Sequence, residues 1–321
     1  MTRQRIEVAI LEHPGSMKSA VYGLADLFQS ANRICEGFEA AELPCFKVSR
    51  WALAEGEVKP LFGEALEAPQ LVIVPPVLEG QAYLQPEPAL RDWLRTCYQQ
   101  GAITSSACAG AFLLADAGLL EGRKVTTHWG LEDAFRQQYP TLELDIDQIL
   151  ISDTDLVTAG GVMSWLDLGL HLIGRFVPPS VVMELGRFLL VDTAPRQQSY
   201  YKRFSPPMDH GDSAVLATQQ LIHREYAQPL TIRQMSEVAS LGERTLLRRF
   251  QKATGFRPGE YLQQQRIQKA RDSLELSQQS VEQIAWQVGY EDVSAFRKMF
   301  LKQTGLTPRQ YRQRFSGSNL V

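Results

Sequence analysis

The chain has 321 residues, 44% hydrophobic and 21% charged, with a net charge of −3; this is the composition of a globular protein of about two domains and excludes collagen-like, low-complexity and disordered classes. The charge is uneven, because residues 205–321 hold 16 Lys and Arg against 11 Asp and Glu while the remainder holds 17 against 25, so an anionic partner is expected for the carboxyl third. No apolar run approaches the roughly 18–20 residues of a membrane span, and the amino end carries no signal-peptide pattern.

Ile6 to Leu11 reads as a buried strand, and Ala20 to Cys35 has the spacing of a helix through Leu24, Leu27, Phe28 and Ala31. Leu71 to Val74 is a strand stopped by Pro75 and Pro76, and Ala89 to Gln99 a helix. Ala102 to Ser105 predicts a strand, followed by a helix from Gly110 to Ala117 that Gly118 closes. Lys124–Thr127, Gln148–Ile151 and Leu156–Ala159 are further strands; Ser164–Phe176 and Val181–Leu190 are helices. Strands alternating with helices predict an α/β unit, a mostly parallel sheet covered on both faces, with its binding crevice at the carboxyl ends of the strands.

The domains expected are 1–192, a linker over 193–212 that contains Pro195, Pro206, Pro207 and Gly211, and an all-α domain over 213–321. The last of these repeats itself at an offset of 50 residues. Phe250 matches Phe300, Lys252 Lys302, Thr254 Thr304, Gly255 Gly305, Pro258 Pro308, Tyr261 Tyr311 and Gln263 Gln313, seven identities in 14 positions. Each copy reads as a helix-turn-helix. Thr231 caps the first helix of the first copy, Ser240-Leu241-Gly242 turns, and Glu243 to Ala253 forms a basic second helix. In the other copy Ser280 caps, Gly289-Tyr290-Glu291 turns, and Asp292 to Gln303 follows. A long helix from Gly259 to Leu274 joins the two.

On Leu246, Phe250, Thr254-Gly255, Pro258, Tyr261, Arg266, Ala270-Arg271 and Leu274, continued through Ile284-Ala285, Val288-Gly289-Tyr290, Phe296, Phe300, Thr304-Gly305, Pro308 and Tyr311-Arg312, residues from about 216 to 315 resemble the DNA-binding domain of AraC/XylS-type transcriptional regulators. That resemblance implies double-stranded DNA as partner. It implies base contacts from Arg244, Leu247 and Arg248 in the first copy, with Arg249 among the arginines that grip phosphates. In the second copy it implies Val293, Ser294, Arg297 and Lys298, the valine suited to a thymine methyl.

Cys108 lies between a strand and a helix in Ser105-Ser106-Ala107-Cys108-Ala109-Gly110, an arrangement similar to a nucleophile elbow. A helix amino terminus there is expected to lower the thiol pKa. With Ala117-Gly118-Leu119-Leu120, Gly122-Arg123, Thr126-Thr127-His128-Trp129, Ala159-Gly160-Gly161-Val162 and Asp167-Leu168, residues 5–190 resemble the PfpI/ThiJ-type, class I amidotransferase-like fold, a flavodoxin-like sheet. The pairing of the two domains is similar to the GlxA subgroup of regulators, which implies an effector-sensing, dimerising front domain, an activator that meets RNA polymerase, and no catalysis. The enzyme members place a histidine after the cysteine, where this chain has Ala109, or a glutamate in the first strand–helix loop, which here reads His13-Pro14-Gly15-Ser16-Met17-Lys18. The alternative is a thiol-dependent amidase or glyoxalase-like enzyme using Cys108, with His128 as its partner.

The candidate effector site takes amides of Ala109 and Gly110 for an anionic group, close backbone approach at Gly160, and Trp129 and Trp165 as aromatic faces for a cation, beside Cys108 and His128. An amino acid or quaternary amine fits that set. No cofactor is implied: GxxxxGK is absent, and His13, His128, His171, His210 and His223 lack metal-ligand spacing.

Overall fold

The computed structural model describes residues 3–38, 43–61, 68–193 and 196–316. The chain divides into two compact units, Met1–Gln198 and Ser199–Val321. The first contains strands β1 (Arg5–Glu12), β2 (Cys45–Ala54), β3 (Glu57–Pro60), β4 (Leu71–Val74), β5 (Ile103–Ala107), β6 (Lys124–Val125), β7 (Glu143–Leu144), β8 (Leu150–Ser152) and β9 (Leu156–Ala159). Its helices are α1 (Lys18–Glu36), α2 (Pro88–Gln99), α3 (Gly110–Asp116), α4 (Glu132–Gln138), α5 (Trp165–Gly174) and α6 (Pro179–Leu189).

Seven strands form one sheet in the order β3-β2-β1-β4-β5-β9-β8. The five inner strands run parallel, and β3 and β8 close the edges antiparallel. Leu71 to Val74 is buried along its whole length, as a central parallel strand with helices on both sides requires. Strand alternation sorts the core into two layers. Ile6, Val8 and Ile10 pack with Leu24, Phe28, Leu168 and Leu172; Ala9, Leu11, Val72 and Val74 pack with Leu90, Leu94, Phe112 and Phe135.

Two features depart from expectation. The β2–β3 hairpin lacked a signal because Lys47, Ser49 and Arg50 interrupt a mostly half-exposed strand near the sheet edge. Its turn, Glu55-Gly56, has φ of 55° and 82°, the geometry of a tight hairpin turn. The strand read over Lys124–Thr127 is only the two-residue β6, paired with β7 outside the main sheet. Thr126 and Thr127 turn inward instead: the Thr126 amide donates to Thr158 Oγ1 at 2.9 Å and Thr127 Oγ1 to the Cys108 carbonyl at 2.7 Å.

The second unit contains α7 (Ser213–Glu225), α8 (Ile232–Val238), α9 (Glu243–Thr254), α10 (Pro258–Leu276), α11 (Val281–Gln287), α12 (Val293–Thr304) and α13 (Pro308–Phe315). Thr231 and Ser280 each close a capping box, with Gln234 and Gln283 respectively. Gly255 and Gly305 end α9 and α12 in the left-handed conformation. Two separate cores result. Met235, Leu246, Phe250 and Tyr261 anchor one, and Ile284, Phe296, Phe300 and Tyr311 the other. Helix α10 serves both, giving Tyr261 and Leu262 to the first and Ile267, Ala270 and Leu274 to the second.

The repeat is also a repeat of hydrogen bonds. Thr254 Oγ1 donates to the Phe250 carbonyl at 2.7 Å and accepts the Phe256 amide at 3.2 Å; Thr304 Oγ1 does the same with Phe300 at 2.8 Å and Leu306 at 3.2 Å. Within the stretch read as a linker, Gln198 is buried in the first unit and Asp212 caps α7 of the second. Pro195 lies outside the described residues. No helix among the described residues is long and apolar enough to cross a membrane.

Candidate functional site

The carboxyl ends of β5 and β9 bring Cys108 and Gly160 to one end of the sheet, where the Cys108 amide donates to the Ala159 carbonyl at 2.8 Å. Cys108 has φ of 54°, a left-handed conformation that a residue with a Cβ holds only when its surroundings impose it. The elbow geometry is therefore present. The expected thiolate is not. Cys108 is 4% exposed and clusters with Val77 and Ala109 under Tyr83, Leu131 and Val162. Burial pushes its pKa up to about 11, outweighing the hydrogen bond from the Ala109 backbone.

Gly110 sits against the end of β4. A Cβ there would lie 2.7 Å from the Val74 carbonyl oxygen and 3.1 Å from that of Pro75. His128 does not reach for the thiol: its Nδ1 accepts the Gly130 amide at 3.0 Å, capping a short turn, and its ring lies 5.1 Å from that of Trp129. The two tryptophans do not form one cage. Trp129 packs into the core layer that holds Phe112, and Trp165 into the layer on the other face of the sheet, its ring against Gly23 of α1. Gly160 does permit close approach, but a side chain of the same chain occupies the space. A Cβ there would lie 1.9 Å from Gln198 Nε2 and 2.6 Å from the Thr127 carbonyl oxygen.

Gln198 was invisible in the sequence, one glutamine in a polar, proline-containing stretch. It is 2% exposed. Its Nε2 donates toward Thr126 Oγ1 at 3.1 Å and toward the carbonyls of Thr127 and Gln148, each at 2.9 Å. Its Oε1 accepts the Trp129 amide at 3.1 Å. A cleft of about 50 Å³ in the first unit is lined by His13, Pro14, Tyr83, Glu87, Leu90 and Leu113. His13 is held between the carbonyls of Pro14 at 3.3 Å and Pro75 at 3.2 Å.

Burial lowers the pKa of His13, His128, His171 and His223 alike. For a group whose folded pKa is depressed, the stabilising contribution is complete above the unfolded value near 6.5 and is lost as pH falls below it. The urea midpoint is thus expected to drop between pH 7 and pH 5, and His13→Gln to flatten that slope; an unchanged slope in the variant would remove His13 from the account.

In the second unit, Arg244, Leu247 and Arg248 of α9 are exposed, opposite buried Leu246 and Phe250. On α12, Ser294, Arg297 and Lys298 are exposed opposite Phe296 and Phe300. Val293 is half-buried against the second core. Arg297 pairs with Glu282 at 2.5 Å, with both side chains about half exposed. Arg249 differs from its neighbours on α9 in having an acidic partner. Its guanidinium grips Asp212 through two bonds of 2.8 and 2.7 Å, and the same carboxylate caps α7 through the Val215 amide at 3.1 Å. Arg249 thus ties α9 to α7.

An α/β unit joined to paired helix-turn-helix motifs with exposed polar second-helix faces is the make-up of a DNA-binding regulator. The helix-turn-helix domain family matches residues 235–314, and the DJ-1/PfpI family residues 61–175. The HTH-type transcriptional regulator CdhR of Pseudomonas aeruginosa is 31% identical over 228 residues, 70% of this chain and 67% of that protein. The HTH-type transcriptional regulator ArgR of the same species is 29% identical over 234 residues, 72% and 70% of the two chains. An isonitrile hydratase of Pseudomonas putida is 30% identical over 166 residues, half of this chain and 66% of its own. The chain belongs to the AraC-family transcriptional regulators with a DJ-1/PfpI amino-terminal domain, the GlxA type.

Proposed function

We propose that the protein is a cytoplasmic, ligand-responsive activator in which residues 1–192 bind a small amine-bearing metabolite of the amino-acid kind and dimerise, and residues 213–321 read two adjacent major-groove segments and meet RNA polymerase. The observation that carries the DNA half is the pair of second helices whose exposed faces bear Arg244, Leu247 and Arg248, and Ser294, Arg297 and Lys298. Val293 stands beside them as an apolar contact. The effector half rests on the unit it shares with regulators of this type and on the strand-end turns that bring Cys108, Ala109 and Gly110 beside Gly160. A quaternary amine loses its main support, because Trp129 and Trp165 lie in different core layers. Turnover by Cys108 is disfavoured by a buried, protonated thiol with no base against it among the contacts described.

Arg248→Ala tests the reading. A lost bidentate base contact is worth about 1–3 kcal/mol, so specific affinity is expected to fall roughly 5- to 150-fold with preference relaxed at one position. Titration against a selected duplex and its single-base variants measures both. Unchanged affinity and unchanged preference would remove Arg248 from the recognition set.

A further inference from the structure

The two motifs differ at one pair of positions where the repeat would predict likeness. Their capping boxes align the first helices at an offset of 49, Thr231 with Ser280 and Gln234 with Gln283, so Glu282 takes the place of Arg233. The second helices align at an offset of 50, Phe250 with Phe300, so Arg297 takes the place of Leu247. The first motif thus has an arginine and a leucine where the second has a carboxylate and an arginine. Arg233 bonds along its own helix, Nε to Glu237 Oε1 at 3.0 Å. Arg297 bonds across the motif, its Nη2 on α12 donating to Glu282 Oε1 on α11 at 2.5 Å.

The core beneath is closed by Ile284, Ala285, Phe296 and Phe300, and the Glu282 and Arg297 side chains are 44% and 53% exposed. An ion pair so exposed contributes little to stability. Its effect on geometry is larger. A long side chain that must be ordered on docking weakens the contact it makes, and a carboxylate that already holds the guanidinium removes part of that cost. The bond engages one of the five N–H donors of a guanidinium, which leaves enough of the fork for the paired bonds to O6 and N7 of a guanine. The arrangement also has a cost. The first helix of such a motif crosses the phosphate backbone while the second enters the groove, so a carboxylate on α11 opposes the duplex unless a cation accompanies it.

We propose that Glu282 is a positioning residue for base reading: it holds Arg297 oriented toward a guanine, so that the second motif gives up some affinity for DNA of any sequence and gains discrimination at one base pair. The inference rests on the reading of α12 as a base-contacting helix and names the base it selects there.

The test titrates the full chain against a duplex that the unaltered protein selects from a random pool, and against all single-base variants of that duplex. Arg297→Ala locates the base pair, which is expected to be a G·C pair whose preference falls roughly 5- to 150-fold. Glu282→Ala is expected to cut discrimination at the same base pair by at least about 5-fold, to leave the other positions unchanged, and to add nothing in the Arg297→Ala background. Glu282→Gln keeps an acceptor oxygen at the same reach and should retain more of the discrimination than alanine does. Because both side chains are exposed, all three variants should keep the Tm of the unaltered protein within a few degrees. Discrimination in Glu282→Ala equal to that of the unaltered protein would overturn the proposal. So would a gain in affinity alike for every duplex with the glutamine and alanine variants indistinguishable, because Glu282 would then act through its charge alone. Arg297→Ala with every base preference intact would instead remove Arg297 from the recognition set, and the proposal with it.

Discussion

Replacing Phe300 by alanine is expected to cost about 3–5 kcal/mol, the range for emptying a fully buried phenylalanine site. Phe300 is 0% exposed and touches Phe296 and Tyr311 with ring centroids at 5.7 and 5.4 Å. Its carbonyl also receives Thr304 Oγ1 at 2.8 Å, the bond that shapes the turn into α13. Because the two helix-turn-helix cores are separate, the loss should fall on residues of the second. Hydrogen exchange would show α11–α13 opening first while α7–α9 stay protected, and footprinting would show one half of the site losing protection. Equal loss of protection in both halves would mean that the cores are coupled through α10 more tightly than their contacts indicate.

Arg271→Met is expected to destabilise the second unit by about 3 kcal/mol or more. A hydrogen bond to a charged group contributes about 1.5–3 kcal/mol, and this guanidinium makes two, to Ser199 and Lys202, while only 5% exposed. Methionine refills much of the volume, so the change isolates the polar contacts. Burial lowers the Arg271 pKa, and a guanidinium stays charged inside a protein. Urea titration of the variant reads the loss, and limited proteolysis should find new cleavage between Ser199 and Lys202. A variant as stable as the parent would mean that water replaces the guanidinium at both carbonyls.

The second unit was legible in the sequence because its marks are structural. Thr254 and Thr304, Tyr261 and Tyr311, Gly255 and Gly305 recur because each copy needs the same core and the same helix stop. In the first unit the buried strands announced themselves as apolar runs, whereas β2 did not, since a half-exposed strand mixes Lys47 and Arg50 with Val48 and Leu53. The site was less legible for a physical reason: residues that act together there are joined by backbone atoms. Gln198 binds two carbonyls and one amide, groups that every residue carries and that no sequence pattern marks. Trp129 and Trp165 misled for the converse reason, because an indole conspicuous in sequence carries no information about which face of a sheet it will reach. The Arg249–Asp212 pair was equally hidden: four residues of α9 look alike as cations or neighbours of cations, and nothing in their spacing points to Asp212.

In the docking proposed above, with each motif on its own major-groove segment, the length of α10 sets a phase relation between the protein and its operator. Nineteen residues at about 1.5 Å each make a rod of about 28 Å. One residue inserted between Leu262 and Ile267, the last anchor of one core and the first of the other, would turn the second motif by about 100° about the rod axis and advance it by about 1.5 Å. One base pair inserted between half-sites turns the duplex by roughly 35° and advances it by about 3.4 Å. No small number of residue insertions matches a base-pair insertion in both angle and rise. The spacing between half-sites and the number of residues between the two cores are consequently locked together, and either can change only in a step that abandons the other.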